Sequence, residues 1–172
     1  MPQLPNSRVN FGDILDAISA QLLTDGVAEN ASQITWGMPD QIPQFAAPFD
    51  VLLVARNGQH EVMDAGPGQF QILRYVDIYY RSQAIADPGG GWRAYIRAAF
   101  VTADKIFNSV SQDGFWPEDA NNNLLTVEPI KFVGDVPPDY PAPAAIYGSY
   151  VATVSCLYMP KIDPNRGVFP IP

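Results

Sequence analysis

From Gln69 to Arg81 the side chains change character at every second residue. Phe70, Ile72, Val76, Ile78 and Tyr80 fall on one side, with Arg74 among them, and Leu73, Tyr75, Asp77, Tyr79 and Arg81 fall on the other. A period of two is that of a strand, whose successive side chains point to opposite faces. The first side belongs in a core. The chain is therefore committed to a sheet with one buried face, and the rest of the sequence must supply partner strands and a cover. The second side is mixed and rich in tyrosine. Such a face fits cover by a partner protein, because interface cores favour aromatic residues and arginine. It fits equally well a strand half-covered by loops of its own chain. Tyr75, Tyr79 and Arg81 are the candidate subunit-interface residues on it.

Two amphipathic helices are available as cover. Phe11, Ile14, Leu15, Ile18 and Leu22 recur at helical spacing, which places them on one face. Asn10 can cap that helix, Asp13 sits in its first turn where the helix dipole favours an acid, and Gly26 can end it. The second helix is expected from Trp92 to about Ser111, with Trp92, Ile96, Ala99, Ala103, Ile106, Phe107 and Val110 as its apolar stripe and Gly114 just past its end.

The remaining strands are shorter or less regular. Val51 to Arg56 is a continuous apolar run, Asn57-Gly58 is a hairpin signal, and Glu61 to Ala65 reads as the return strand. Asp64 to Gly68 is a second turn. Leu124 to Val133 reads as a strand interrupted by Pro129, hence an edge or a bulge. Gly148 to Met159 is the last strand, with Tyr150, Ala152, Val154, Cys156 and Tyr158 on one face. Residues 27–50 carry no sustained period, with room for a short strand around Ile34 to Gly37, and residues 134–143 form a proline-rich loop. Short turns favour antiparallel pairing. The fold class that follows is α+β: a mainly antiparallel sheet with two amphipathic helices packed on one face. The organisation is an extended N-terminal arm over 1–9, a single domain over 10–159, and a proline-rich C-terminal arm over 160–172. That last arm ends Phe169-Pro-Ile171-Pro. Proline pre-extends it, so it loses less entropy on docking. It reads either as an arm reaching across a subunit boundary through Phe169 and Ile171 or as a frayed terminus.

Catalytic constellations fail on missing residue types. His60 is the single histidine and Cys156 the single cysteine. His60 reads as a solvated turn residue, and Cys156, alternating with apolar neighbours, as a buried small hydrophobe. No Gly-x-Ser-x-Gly elbow is present. One Cys and one His do not make a zinc site. Glu118 to Asn123 lacks the glycine and closing glutamate of a calcium loop. Gly89-Gly-Gly91 lacks the lysine and hydroxyl residue of a phosphate loop. Catalytic residues, metals and cofactors are accordingly expected to be none. The chain carries 18 acids against ten bases, a net charge of −8. Its bases are scattered, so the phosphate neutralisation that nucleic-acid binding needs is not available. The lone cysteine, the polar opening residues and the lack of a long apolar run read as a soluble protein made in the cytoplasm, without a membrane partner.

Several segments together resemble the tail-terminator (tail-completion) proteins of the neck of tailed bacteriophages. They are the N-terminal helix, the central strand Gln-Ile-Leu-Arg-Tyr-Val-Asp-Ile-Tyr-Tyr-Arg (71–81), and the helix ending Ala-Asp-Lys-Ile-Phe-Asn-Ser-Val (103–110). The strands Leu-Leu-Thr-Val-Glu-Pro-Ile (124–130) and Tyr-Val-Ala-Thr-Val-Ser-Cys-Leu-Tyr (150–158) complete the match. The resemblance spans roughly residues 10–160 and rests on pattern rather than on a signature motif. It implies an α+β subunit of a hexameric ring in the virion. That ring caps the head-proximal end of the tail tube, stops tube polymerisation and joins tail to head. The implied partners are further copies of the chain, the tail-tube protein and the head-completion or neck proteins, with genomic DNA passing through unbound. The chain departs from small family members in its 27–50 and 134–143 segments and its C-terminal arm. Another neck, head-completion or tail-tube-like component is the nearest alternative, and a non-viral protein-binding module is the alternative of another class.

Overall fold

The long alternating segment stands at the centre of the sheet. In the computed structural model, which describes residues 8–37, 51–64, 70–83, 91–110, 114–136 and 147–161, helix α1 spans Phe11–Thr24 and helix α2 spans Gly91–Val110. The strands are β1 (Ile34–Gly37), β2 (Val51–Asp64), β3 (Phe70–Gln83), β4 (Lys131–Val136) and β5 (Tyr147–Tyr158). They form one sheet in the order β1-β2-β3-β5-β4. The β2–β3, β3–β5 and β5–β4 pairs are antiparallel, and β1 alone runs parallel to its neighbour β2. The fold is α+β.

Register explains which residues meet the helices. Ile72, Arg74, Val76 and Ile78 of β3 stand opposite Tyr158, Cys156, Val154 and Ala152 of β5. Directly opposed residues share a face, and the members of this row other than Arg74 pack with Leu53 of β2 into the core. From above, α1 contributes Ile14, Leu15, Ile18 and Leu22, and α2 contributes Ala103, Ile106 and Val110. Each fully buried Ile or Leu contributes about 1.5–3 kcal/mol, so helix spacing and strand alternation join in one buried layer.

The ends of α1 fall where the sequence indicates. The Asn10 amide donates to the Asp13 carboxylate at 3.3 Å, which satisfies one N-terminal donor of α1. Gly26 stops α1 with a φ of +69°, a conformation that costs residues with a Cβ. The chain then turns Val27 and Ala28 into the core before a single 3-10 turn (Ala31–Gln33) leads into β1.

Four expectations need correction. Asn57-Gly58 does not fold β2 back on itself. β2 continues to Asp64 and pairs with β3 on both sides of a register shift that lies between Ala55↔Val76 and His60↔Arg74. The turn signal is absorbed as extra residues in a bulged strand, because β3 is long enough to pair with both halves. The strand expected from Leu124 begins only at Lys131. Ahead of it the backbone is engaged elsewhere: Leu125 N–H donates to Pro117, Val127 N–H to Leu157 and Ile130 N–H to Phe115, and Pro129 has no N–H to offer. Phe70 lies on the core-facing register of β3 yet is 48% exposed, because β5 stops pairing at Ile72. Phe107, assigned to the apolar stripe of α2, lies at its margin, exposed, with its ring edge-on to Phe132 at 5.1 Å.

The arm boundaries drawn at 9 and 160 both fall on one backbone bridge. Val9 is buried and pairs in parallel with Pro160. Its N–H donates to Met159 at 2.9 Å, and Lys161 N–H donates to its carbonyl at 3.0 Å. The start of the domain is thereby fastened to the end of β5.

Candidate interaction surfaces

The face of the sheet turned away from the helices is made by Tyr75, Asp77 and Tyr79 of β3, standing opposite Ser155, Thr153 and Val151 of β5. Its centre is closed to water within a single chain: Asp77, Thr153 and Ser155 are buried. Thr153 donates its hydroxyl to Asp77 Oδ1 at 2.6 Å, which compensates part of the cost of burying a carboxylate. Tyr75 and Tyr79 flank this pair and are half-buried. Arg81 joins them by register, and Phe169 and Ile171 lie outside the described residues. The tyrosine-bearing face is therefore part core and part surface.

The Cys156 thiol is poorly placed for chemistry. Cys156 is buried on the helix-covered face, and burial pushes its thiol up to about 12. A thiol held neutral is a weak nucleophile. His60 stands two strands away in register, with Arg74 between them, roughly 10 Å of backbone separation. Arg74 lays its guanidinium over the Phe11 ring at 5.2 Å, and the Tyr158 ring lies 5.5 Å from Phe11. Burial raises the Tyr158 phenol despite the adjacent Arg74 charge, which lowers it. Asp119 is turn chemistry: its carboxylate accepts from the Asn121 and Asn123 amides, and the Asn123 side chain first and its backbone second hold the carboxyl below its ordinary value. No group of three or more His, Cys, Asp or Glu side chains stands together to hold a metal among the described residues. No described helix is long and apolar enough to cross a membrane.

Large apolar side chains are instead exposed at the margins of the sheet. At the β1 edge, α1 and β1 enclose an open groove of about 560 Å³ lined by Asp16, Ser19, Leu23, Ala31, Ile34 and Trp36. Trp36 in its lining is 43% exposed, with its indole N–H donating to Ser19 Oγ at 3.2 Å. At the β4 edge, Val133 is 53% exposed. It is the extra residue of a bulge, lying between the pairs Phe132↔Val154 and Gly134↔Thr153. Phe100 and Val101 of α2 are exposed as well. The third margin is the end of the β2–β3 pair, where Val62 stands opposite Ile72 of the last β3–β5 pair, Met63 and Phe70 lie beyond it, and all three are exposed. Sequence periodicity assigns faces and does not report where a neighbouring strand stops, so these margins were not legible in it. The bulge at Val133 could have been suspected from Gly134.

No protein-family model matches the chain, and no curated protein matches it.

Proposed function

We propose that this chain is a structural virion protein, the tail terminator of a tailed bacteriophage. It forms a ring at the head-proximal end of the tail tube, ends tube polymerisation and joins tail to head. The observation that carries this reading is the architecture: two amphipathic helices share one face of a mainly antiparallel sheet, the subunit type that the sequence resemblance implies.

Three physical features support it. The net charge of −8 suits a ring through which DNA passes without being held. Exposed apolar residues sit at opposite edges of the sheet, where neighbours in a ring would cover them. Chemistry is not part of the proposed role: the single thiol is buried and neutral, and the single histidine stands apart from it. On this reading the ring is a homohexamer, its partners are the tube and head-completion proteins, and it acts in the virion after synthesis in the host cytoplasm. A different neck or tube-like position is the second reading, since the same architecture would serve a subunit that continues a tube rather than ending one.

Tube polymerisation separates these two readings. Purified chain added to the tube protein of the same phage shortens the tubes and marks one end of each if it terminates. If it lengthens them or enters the tube wall, the tube-like reading replaces the terminator.

A further inference from the structure

Trp36, at the β1 edge, is exposed and yet held in place. Its indole N–H donates to Ser19 Oγ at 3.2 Å, and the Ser19 hydroxyl donates in turn to the Leu15 carbonyl at 2.7 Å. Ser19 is thus engaged both as acceptor and as donor, which fixes the indole against α1. Asp16, Ser19 and Leu23 recur at the spacing of one helix face and line the same groove, with Ile34 of β1 also in its lining. Asp16 stands one turn from Ser19, as neighbours at i and i+3 do. It is exposed and has no hydrogen-bond or ion-pair partner among the described residues. The lining holds no Lys or Arg. From Phe11 to Gly37 the chain carries Asp13, Asp16, Asp25 and Glu29, all exposed, and not one Lys or Arg, a net of −4.

We propose that the Trp36 groove receives an arginine side chain of a partner protein. The guanidinium stacks on the indole and pairs with the Asp16 carboxylate, and its methylene stem lies along Leu23 and Ile34. Arginine suits this set better than lysine. A planar guanidinium stacks on a ring and forks to a carboxylate at once, and it gives up its water more readily than an ammonium. The −4 stretch repels phosphate, so a nucleic acid or an anionic lipid is a poor occupant. The groove lies open along the surface, whereas sites for small molecules enclose most of their ligand. A side chain presented by another protein needs no such enclosure. The proposal adds a partner chemistry that the terminator reading does not specify, and it uses no step of that reading.

Nuclear magnetic resonance of the full chain tests this. The chain has three indole N–H signals, from Trp36, Trp92 and Trp116, and Trp36→Phe identifies the first. The probe is a capped pentapeptide, Gly-Ser-Arg-Ser-Gly. Its control carries citrulline, which has the shape of arginine without the charge. The Trp36 signal moves saturably with the arginine peptide and not with the citrulline peptide, while the Trp92 and Trp116 signals stay in place. Asp16→Asn, at an exposed position, weakens the binding about threefold, and unchanged Trp92 and Trp116 signals show that the variant is folded. No saturable movement at Trp36 overturns the proposal. Equal movement with the citrulline peptide does the same, because the groove would then be a general apolar contact. An Asp16→Asn variant that binds as well as the original also overturns it. So does a Trp36 signal that shifts with the concentration of the chain alone, since a second copy would then be the occupant.

Discussion

The Thr153 hydroxyl and the Asp77 carboxylate meet at 2.6 Å across the two central strands, on the sheet face away from the helices. Both residues are buried. Thr153→Val keeps the shape and removes the donor, leaving a buried carboxylate with one partner fewer. The expected loss of stability is about 1–3 kcal/mol by urea unfolding. Thr153→Ser, which keeps the hydroxyl, costs less. Equal losses from both variants would show that packing rather than the hydrogen bond matters at this position.

Alkaline stability follows from Cys156. Burial raises its pKa in the folded chain from 9.0 to about 12. The native state therefore holds a proton that the unfolded state releases above pH 9. Its contribution is fully present below pH 9 and declines as pH rises towards 12, by at most about 1.4 kcal/mol per pH unit. Tyr158, also raised by burial, adds to the decline above its ordinary value of 10.0. Cys156→Ala flattens the pH 9–12 part of the curve, measured by urea midpoints at each pH. An unchanged slope would assign the decline to other groups.

Two glycines with positive φ separate backbone strain from crowding. Gly26 (φ +69°) has open space where a Cβ would stand, whereas at Gly114 (φ +71°) a Cβ would sit 3.3 Å from Cβ and Cγ of Pro129. Gly26→Ala is expected to cost about 1–2 kcal/mol from the left-handed conformation alone. Gly114→Ala costs more, because Pro129 must also give way. Thermal or urea unfolding gives both values, and a smaller loss at Gly114 would contradict the crowding.

The elements that read correctly from the sequence are those whose pattern is long. α1 and α2 carry several turns of apolar spacing, and β3 and β5 carry sustained alternation. Errors fell where a local signal competed with a distant partner. Asn57-Gly58 favours a hairpin by itself, but β3 offers a longer ladder and keeps β2 extended. The late start of β4 depends on Pro117, Phe115 and Leu157, which accept the bonds of Leu125, Ile130 and Val127 from outside the segment. The short β1 was visible at Ile34 to Gly37, yet its parallel pairing with β2 is set by where the chain returns, which no period records. For the candidate surface, alternation placed Tyr75 and Tyr79 together on one face. It could not show that Asp77, between them, is buried beside Thr153.

Tail length tests the central claim most directly. In a phage that carries this gene, virions lacking the protein are examined by electron micrographs alongside the intact phage. Termination predicts abnormally long tails with unattached heads, reversed when the gene is restored. Tails of normal length with unattached heads would contradict termination and place the chain elsewhere in the neck.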